Sequence, residues 1–245
     1  MTVEDARVCA GGAAARWCIA LIMIFLLAAC SQGTPLLTEL GLPAGELRES
    51  ANYRALQGEQ FPVPAVPAED LDPKYMRQRV RYATPHPAGT IVVDPDAKFL
   101  YFVMGDGEAL RYGIGVGREG FGWSGTARIA RKAHWPTWTP PAEMIRRQPA
   151  LAQYRNGMEP GLGNPLGARA LYLYQNGRDT LYRIHGTNEP RSIGQNVSSG
   201  CIRLLNQDVI DLFKRVPIGS QVVVLSHGQI ADAADTGPIS AGALQ

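Results

Sequence analysis

The chain has 245 residues, 45% of them hydrophobic and 19% charged, which suffices for one packed domain with additional segments. Its formal net charge of +2 does not indicate a nucleic-acid-binding protein, and we expect no nucleic-acid partner. The 27 glycines and 18 prolines favour a turn-rich β architecture over a helical bundle.

The N-terminal segment has the features of an export signal. An apolar run, Trp17 to Leu27, follows two arginines and is too short to span a bilayer comfortably. It ends in Leu-Ala-Ala-Cys, which resembles the bacterial lipoprotein processing box and predicts cleavage before Cys30 and lipid attachment to its sulfur. The alternatives are an ordinary signal peptide cut near Ala29 and an uncleaved anchor. Residues 1–29 are therefore predicted to be a signal peptide, with Cys30 as the membrane attachment.

Cysteine usage then singles out one thiol. Cys9 and Cys18 would leave with the signal and Cys30 would carry lipid, so Cys201 remains as the one unmodified cysteine. An exported protein in an oxidising compartment usually pairs its cysteines or lacks them. A lone thiol there indicates a reactive residue, the alternative being a buried inert cysteine. We expect the protein in the periplasm of the cell envelope, on the outer membrane rather than the inner one.

Residues 30–88 are predicted to be a proline-rich tether. The stretch holds eight of the 18 prolines, including the run Pro62 to Pro67, and such sequences favour extended or polyproline conformations that give reach from a membrane. Lys74 and three arginines close the segment. We interpret this basic cluster as a solvated edge of the domain, the alternative being weak contact with anionic lipid or wall.

A folded domain is predicted over residues 89–226, followed by a flexible tail at 227–245. Its β-rich runs are Thr90–Asp94, Phe99–Val103, Ala109–Val116, Ala127–Ala130, Ala170–Tyr174, Asp179–His185 and Gln221–Leu225. The residues Pro95 to Lys98 and the pair Asn176-Gly177 are typical of hairpin turns.

One helix is expected after the last motif of the domain. Asn206 is a suitable N-cap, and apolar residues follow at helical spacing until Pro217 and Gly219 end the pattern. The apolar face consists of Val209, Leu212, Phe213 and Val216. The pattern predicts a mainly β domain, of α+β type, with one packed helix.

Two other motifs do not indicate a cofactor. The run Gly113 to Gly117 suggests a dinucleotide loop, but it sits inside a hairpin series and no helix pattern follows it. The four histidines show no metal-ligand spacing with cysteine or aspartate. We therefore expect neither cofactor nor metal. The aromatic loop Trp135 to Pro141 is open to two interpretations, core packing or one wall of a substrate cleft.

The strongest motif pairs a histidine with the lone cysteine. His185 ends a predicted strand, and Cys201 follows 16 residues later after a loop, so the fold can bring imidazole and thiol together. A free thiol is mostly protonated at neutral pH, and a neighbouring histidine takes or shares that proton. Gly200 lets the backbone turn so that successive N–H groups face a developing oxyanion. Arg203 suits a substrate carboxylate, the alternative being a structural salt bridge.

These residues resemble the YkuD-type L,D-transpeptidase catalytic domain. That family has a histidine-glycine pair, here His185-Gly186, and then Ser/Thr-His-Gly-Cys followed by Arg or Asn, here Ser199 to Arg203 after Ser198. The resemblance extends over about residues 89–226 and includes Trp123 to Thr126 and Asn164 to Gly167. It implies a β-sandwich-like fold with the cysteine in a cleft, and it assigns substrate binding to Trp123 and Arg203.

One position departs from the family pattern. Ser199 stands where the family usually has a histidine before the Gly-Cys pair. The family's general base corresponds to His185, which is present, and a serine still donates a hydrogen bond but cannot carry positive charge. We therefore expect activity with an altered pH dependence.

The resemblance implies a two-step acyl transfer on peptidoglycan stem peptides. Cys201 attacks the residue-3 carbonyl of a stem tetrapeptide, D-Ala leaves, and an amine takes the acyl group, giving a 3→3 crosslink or anchoring a wall-bound acceptor protein. Two alternatives stay open: an L,D-carboxypeptidase that uses the same thiol, and a non-catalytic lipoprotein that binds peptidoglycan.

Overall fold

Strands dominate the computed structural model, which describes residues 51–117, 123–198, 200–226 and 228. Within these residues the strands are β1 (Gln78–Arg81), β2 (Ile91–Asp94), β3 (Phe99–Gly105), β4 (Glu108–Gly113), β5 (Val116–Gly117), β6 (Gly125–His134), β7 (Arg169–Gln175), β8 (Arg178–His185), β9 (Asn196–Ser198), β10 (Ile202–Arg203) and β11 (Gln221–Val224). The helices are α1 (Ala142–Arg147) and α2 (Asn206–Arg215), with 3-10 turns at Ala68–Asp70, Pro73–Tyr75, Pro149–Tyr154 and Pro190–Ser192. The predicted mainly β class is confirmed.

The described strands form a nine-stranded sheet in the order β1-β4-β3-β2-β11-β6-β7-β8-β10, beside a two-stranded sheet of β5 and β9. The large sheet curls, because Gly115, just beyond β4, makes an antiparallel bridge to Arg203 in β10. The N–H groups of Gly115 and Arg203 donate to each other's carbonyls at 3.0 and 2.9 Å. The two halves of the sheet therefore face each other across a core, which is the sandwich-like arrangement.

That core is built mainly of aliphatic side chains, which come from both halves of the sheet. Leu100 from β3, Leu171 from β7 and Ile184 from β8 belong to one cluster with no exposed surface, and Leu212 of α2 packs into it. Burying each such side chain contributes about 1.5–3 kcal/mol. The helix predicted after the catalytic motif thus closes the core, as expected from its apolar face.

Both predicted hairpins are present. β2 pairs antiparallel with β3 across Pro95 to Lys98, and β7 pairs antiparallel with β8 across Asn176-Gly177. Asn176 and Gly177 have φ angles of 52° and 75°, as a two-residue hairpin turn with positive φ at both positions requires. The start of α2 differs from the prediction, since Leu205 occupies the N-cap position and Asn206 is the first helical residue.

The tether prediction differs from the structure for residues 51–88. Tyr53, Val63 and Leu71 are each no more than 4% exposed, and β1 pairs antiparallel with β4 at the edge of the large sheet. The prolines still keep this segment largely irregular, but the apolar residues between them pack against the domain. We therefore place the N-terminal boundary of the folded unit before residue 89. The predicted signal peptide at 1–29, residues 30–50 of the predicted tether, and the predicted tail apart from Gly228 lie outside the described residues.

A buried charged cluster joins this N-terminal segment to α2. Arg77 lies 3.8 Å from Asp208 and 3.0 Å from Asp211, and its backbone N–H donates to the Tyr53 hydroxyl. Tyr53 in turn donates to Asp208 at 3.2 Å. Burial raises the pKa of Asp208 to about 7, although the charge of Arg77 opposes this shift.

No helix among the described residues is long and apolar enough to cross a membrane.

The cluster predicts a pH-dependent stability. The folded protein retains the Asp208 proton up to about pH 7, while an unfolded aspartate loses it near pH ~4. The contribution of Asp208 to stability should therefore fall as pH rises through this window, whereas buried, neutral His185 contributes the opposite slope between about pH 4 and 6.5. Asp208→Asn should remove the Asp208 contribution, so the stability of the variant should rise more steeply with pH than that of the wild type. Urea-unfolding midpoints of the wild type and of Asp208→Asn at about pH 5, 6 and 7 measure this difference.

Asp211→Asn is the control of opposite sign. Burial raises the pKa of Asp211, but hydrogen bonds from Arg215 and Tyr112 outweigh burial and lower it. Its contribution is present above the unfolded pKa and lost as pH falls through the folded value. A wild-type slope that persists unchanged in Asp208→Asn would contradict the assignment.

Candidate active site

The parallel pair of β8 and β10 brings the two predicted catalytic residues to one face of the sheet. Ile202 aligns with Ile184, and Arg203 aligns with His185. Both isoleucines are fully buried in the core, so their neighbours along each strand point to the opposite face. Continuing this alternation by one residue puts Cys201 beside Arg183 and on the His185 face. Cys201 and His185 are diagonal neighbours, with Cα atoms roughly 8 Å apart by strand geometry.

His185 is held in a defined orientation. Its Nδ1 lies 2.5 Å from the Gly186 carbonyl oxygen, and this acceptor favours the tautomer that carries its proton on Nδ1. The Nε2 lone pair is then left as the basic site. Burial, followed by the charge of Arg203, lowers the pKa of His185 from 6.5 to about 4, while the Gly186 hydrogen bond opposes the shift. The imidazole is therefore neutral at physiological pH.

Cys201 is half-buried. Burial raises the pKa of Cys201, although a backbone hydrogen bond with Arg183 and the charges of Arg183 and Arg203 oppose the rise. Sγ also lies 4.0 Å from the Leu181 carbonyl oxygen. Leu181 sits in an irregularity of β8 with φ at 63°, and bulges of this kind often re-aim groups beside active sites. The resting pair is thus a thiol and a neutral imidazole.

Two predicted glycines are required by the local geometry. A Cβ on Gly186 would lie 2.3 Å from the Asn206 Oδ1 atom, a separation that side chains do not tolerate. Gly200 has φ at 119°, where L residues are strained, and a Cβ there would lie 3.1 Å from the Tyr182 ring. Gly186 is therefore required by the close approach of its neighbours, and Gly200 by its backbone conformation and the nearby Tyr182 ring.

Arg203 makes the salt bridge that was the alternative to substrate binding. Its guanidinium donates to Glu189 Oε2 at 2.8 Å, and the Glu189 side chain is 62% exposed. Glu189 is a partner that the sequence did not reveal. The pair fixes the guanidinium near the site, where its charge acts on both His185 and Cys201.

Trp123 is connected to the Cys201 loop through a second aromatic ring, that of Tyr182. It stacks on Tyr182 with ring centroids 5.6 Å apart and an interplanar angle of 27°. Burial and then the charge of Cys201 raise the pKa of Tyr182. The edge of the Tyr182 ring lies against Gly200, the residue before Cys201. Sequence analysis missed Tyr182, because strand alternation from the buried Ile184 assigns residue 182 to the core face and not to the face of His185.

A second group that sequence analysis missed is a cationic row leading towards Cys201. The register aligns Arg131 on β6, Tyr172 on β7 and Arg183 on β8. The two guanidinium carbons lie 3.5 and 4.5 Å from the Tyr172 ring centroid. Asp179 accepts two hydrogen bonds from Arg183 at 2.7 and 2.8 Å. Within the described part of the chain, Arg131 pairs with no carboxylate.

Other predicted features fall outside the site or outside the described residues. Trp135 is 3% exposed and donates to Glu59 at 3.1 Å, which supports the core-packing interpretation at that residue of the aromatic loop. Ser199 and Cys30 are not among the described residues, so their assignments stay predictions. Among the described residues, no group of three or more His, Cys, Asp or Glu side chains is arranged so that it could hold a metal ion.

The neutral resting pair predicts a steep pH dependence of thiol reactivity. The rate of iodoacetamide alkylation of Cys201, located by peptide mapping, should rise about tenfold per pH unit between roughly pH 5 and 8, because the thiolate fraction does. A plateau across this range would instead show a preformed thiolate–imidazolium pair. His185→Gln should keep the same slope, since His185 is already neutral over most of that range.

Comparison with known proteins agrees with the motif. The family model for the L,D-transpeptidase catalytic domain, YkuD, matches residues 88–224. The probable L,D-transpeptidase YbiS of Escherichia coli K12 is 38% identical over 145 residues, covering 55% of this chain and 43% of YbiS. The probable L,D-transpeptidase ErfK/SrfK of the same strain is 38% identical over 143 residues, covering 56% of this chain and 44% of that protein. The chain thus spans less than half the length of these curated relatives.

A crystal structure from Brucella melitensis carries a different name. Described as a probable carnitine operon oxidoreductase, it is 50% identical, covers 63% of this chain and 96% of that one, and has a TM-score of 0.45. A TM-score this low supports no structural argument. A dinucleotide-binding loop would be followed directly by a helix. The run Gly113 to Gly117 instead joins β4 to β5, and the next described element is β6. By its match over more than half its length, the chain belongs to the YkuD family of L,D-transpeptidase catalytic domains.

Proposed function

We propose that the chain is a peptidoglycan L,D-transpeptidase in which Cys201 is the nucleophile and His185 the general base. The observation that carries this proposal is the β8–β10 register, which sets both residues on one face of the sheet. The Gly186 carbonyl, 2.5 Å from Nδ1, leaves Nε2 as the atom that accepts the thiol proton. The combination of nucleophile, base and base-orienting group is the arrangement that activated cysteines need.

The first half-reaction forms a thioester. Cys201 Sγ attacks the residue-3 carbonyl carbon of a stem tetrapeptide while Nε2 of His185 takes the thiol proton. The carbonyl oxygen becomes an oxyanion, which the backbone N–H groups of Gly200 and Cys201 stabilise. The C–N bond to the terminal D-Ala then breaks, and the imidazolium returns its proton to the departing amine.

The second half-reaction transfers the acyl group. An amine attacks the thioester carbonyl, and His185 takes a proton from the attacking nitrogen. The C–S bond then breaks, and the imidazolium returns this proton to the Cys201 sulfur, which restores the thiol. A side-chain amine of another stem gives a 3→3 crosslink, and a lysine of a wall-bound protein gives an anchored protein. Water as the acceptor would give L,D-carboxypeptidase activity from the same intermediate.

The charge of the site suits a substrate that carries carboxylates. Arg131, Arg183 and Arg203 lie on the strands around Cys201, whereas Asp179 and Glu189 offset only two of these cations. Stem peptides contain acidic residues, and guanidinium groups bind carboxylates with charge-assisted hydrogen bonds. Trp123 and Tyr182 add an apolar wall at the same place. These features support stem peptides as the substrate class.

The membrane attachment belongs to this proposal. Lipid on Cys30 would hold the enzyme at the periplasmic side of the outer membrane, within reach of the wall and of an acceptor protein. Cys30→Ala should then move the protein from the membrane fraction to the soluble periplasmic fraction.

Ser199, in place of a histidine, leaves His185 as the base and alters the pH dependence alone.

The test is product analysis with purified disaccharide-tetrapeptide. Wild-type protein should release D-Ala and form a crosslinked dimer, and Cys201→Ala should form neither product while keeping the wild-type circular dichroism spectrum. Tripeptide without dimer, also when a second stem with a free side-chain amine is supplied, would replace transfer by hydrolysis. Normal product formation by Cys201→Ala would overturn the nucleophile assignment.

A matched control tests whether the loss is specific to chemistry. Arg178→Gln changes an exposed side chain near the β7–β8 turn, away from the thiol, and should keep wild-type rates.

Substrate binding without any D-Ala release in wild-type protein would support the non-catalytic binding protein and contradict the proposed function.

A further inference from the structure

We infer that Asn206 is a positioning residue for His185: its side-chain amide ties together the chain segments that fix the Gly186 carbonyl. The inference rests on the proposed function, because it concerns the base of that reaction. Asn206 touches neither substrate nor thiol in this account. It acts through the backbone that orients the imidazole.

The amide makes two hydrogen bonds to two different strand ends. Its Oδ1 accepts from the Ala168 backbone N–H at 2.8 Å, immediately before β7 begins. Its Nδ2 donates to the Thr187 carbonyl oxygen at 3.0 Å, two residues after β8 ends at His185. One planar amide therefore sets the spacing between the start of β7 and the end of β8.

The surrounding backbone approaches this amide closely. A Cβ on Gly167 or on Gly186 would lie 2.3 Å from the Asn206 Oδ1 atom. Both positions must therefore be glycine for the amide to fit between them. The same close contact means that movement of the amide is transmitted directly to the Gly186 peptide unit.

The Gly186 peptide unit is held on its other sides as well. The Gly186 N–H donates to the Arg169 carbonyl at 3.0 Å, and the Leu204 N–H donates to the His185 carbonyl at 2.8 Å. The Gly186 carbonyl is then free to accept from His185 Nδ1. Asn206 supplies the next link along the chain, at Thr187. It also lies five residues after Cys201 and so connects the segment of the nucleophile to that of the base.

This role differs from the N-cap role that the sequence predicts for Asn206. An N-cap side chain accepts from the helix's own first-turn N–H groups. Leu205 holds the N-cap position, and no side chain caps α2. Both hydrogen bonds of the Asn206 amide leave the helix instead.

The chain offers a matched control in the next residue. Gln207 is also a buried amide, 4% exposed, in the first turn of the same helix. Its Nε2 donates to the Pro64 carbonyl at 2.8 Å and to the Arg54 carbonyl at 3.4 Å, so it holds the N-terminal segment rather than the catalytic loop. Loss of either amide removes hydrogen bonds of similar kind, but only Asn206 connects to His185.

The experiment compares Asn206→Ala, Asn206→Asp and Gln207→Ala in the full-length protein. Asn206→Asp keeps the size and one acceptor but replaces the Thr187 donor with an oxygen, so it serves if the alanine variant does not fold. The first readout is the ¹⁵N chemical shifts of the His185 ring, assigned with His185→Gln, which report the populations of the two tautomers. The second is the pH profile of kcat/KM for the stem peptide.

Both Asn206 variants should lose the Nδ1–H preference of His185 and lower kcat/KM by about tenfold to a hundredfold, since small misplacements at reacting groups have effects of this size. The loss should fall on kcat rather than KM. Gln207→Ala should lower the unfolding midpoint while keeping the wild-type tautomer and pH profile. Unchanged tautomer populations in both Asn206 variants, or the same change in Gln207→Ala, would overturn the positioning role.

The two proposals fail separately. If wild-type protein turns over no stem peptide while the Asn206 variants still change the His185 tautomer, the proposed function falls and the positioning role stands. If turnover is normal in wild-type protein and in folded Asn206 variants alike, the positioning role falls and the proposed function stands.

Discussion

The site depends on one short parallel contact, the pairing of β10 with β8. Only Ile202 and Arg203 take part on the β10 side, opposite Ile184 and His185. The two isoleucines are buried in the main core, which gives this two-residue strand its energetic support. Because strand residues alternate between faces, burying the isoleucines puts the proposed catalytic residues, Cys201 and His185, together on the other face. A slip of one residue would reverse the faces and separate the pair.

The electrostatics of the pair follow from the same burial. Taking the imidazole out of water disfavours its charged form, and half-burial of the thiol disfavours the thiolate. The two charges are therefore absent from the resting site. In the proposed reaction they arise together during attack, when the carbonyl oxygen also becomes charged. Preorganised N–H donors at Gly200 and Cys201 would then be most useful at that moment. Arg183 and Arg203 oppose the burial effect on the thiol and keep the thiolate accessible.

Local sequence signals predicted the parts of the fold that depend on neighbours in the chain. The hairpin at Asn176-Gly177 and the amphipathic α2 were evident because turn residues and helical spacing are local. β5, β9 and β10 have only two or three residues each and were missed, since no periodicity can appear in so short a run. The prolines of residues 51–88 concealed β1 and the buried residues between them. The roles of Asn206, Glu189 and Tyr182 depend on contacts between distant segments, which one sequence does not reveal.

In the proposed reaction, Cys201 carries the acyl group between the two half-reactions. The most direct measurement is mass spectrometry of wild-type protein, acid-quenched milliseconds after mixing with disaccharide-tetrapeptide and then digested. We expect the peptide containing Cys201 to gain the mass of the substrate less D-Ala, bound as a thioester that hydroxylamine removes. An adduct on another residue, or complete turnover with no adduct at any time, would contradict it.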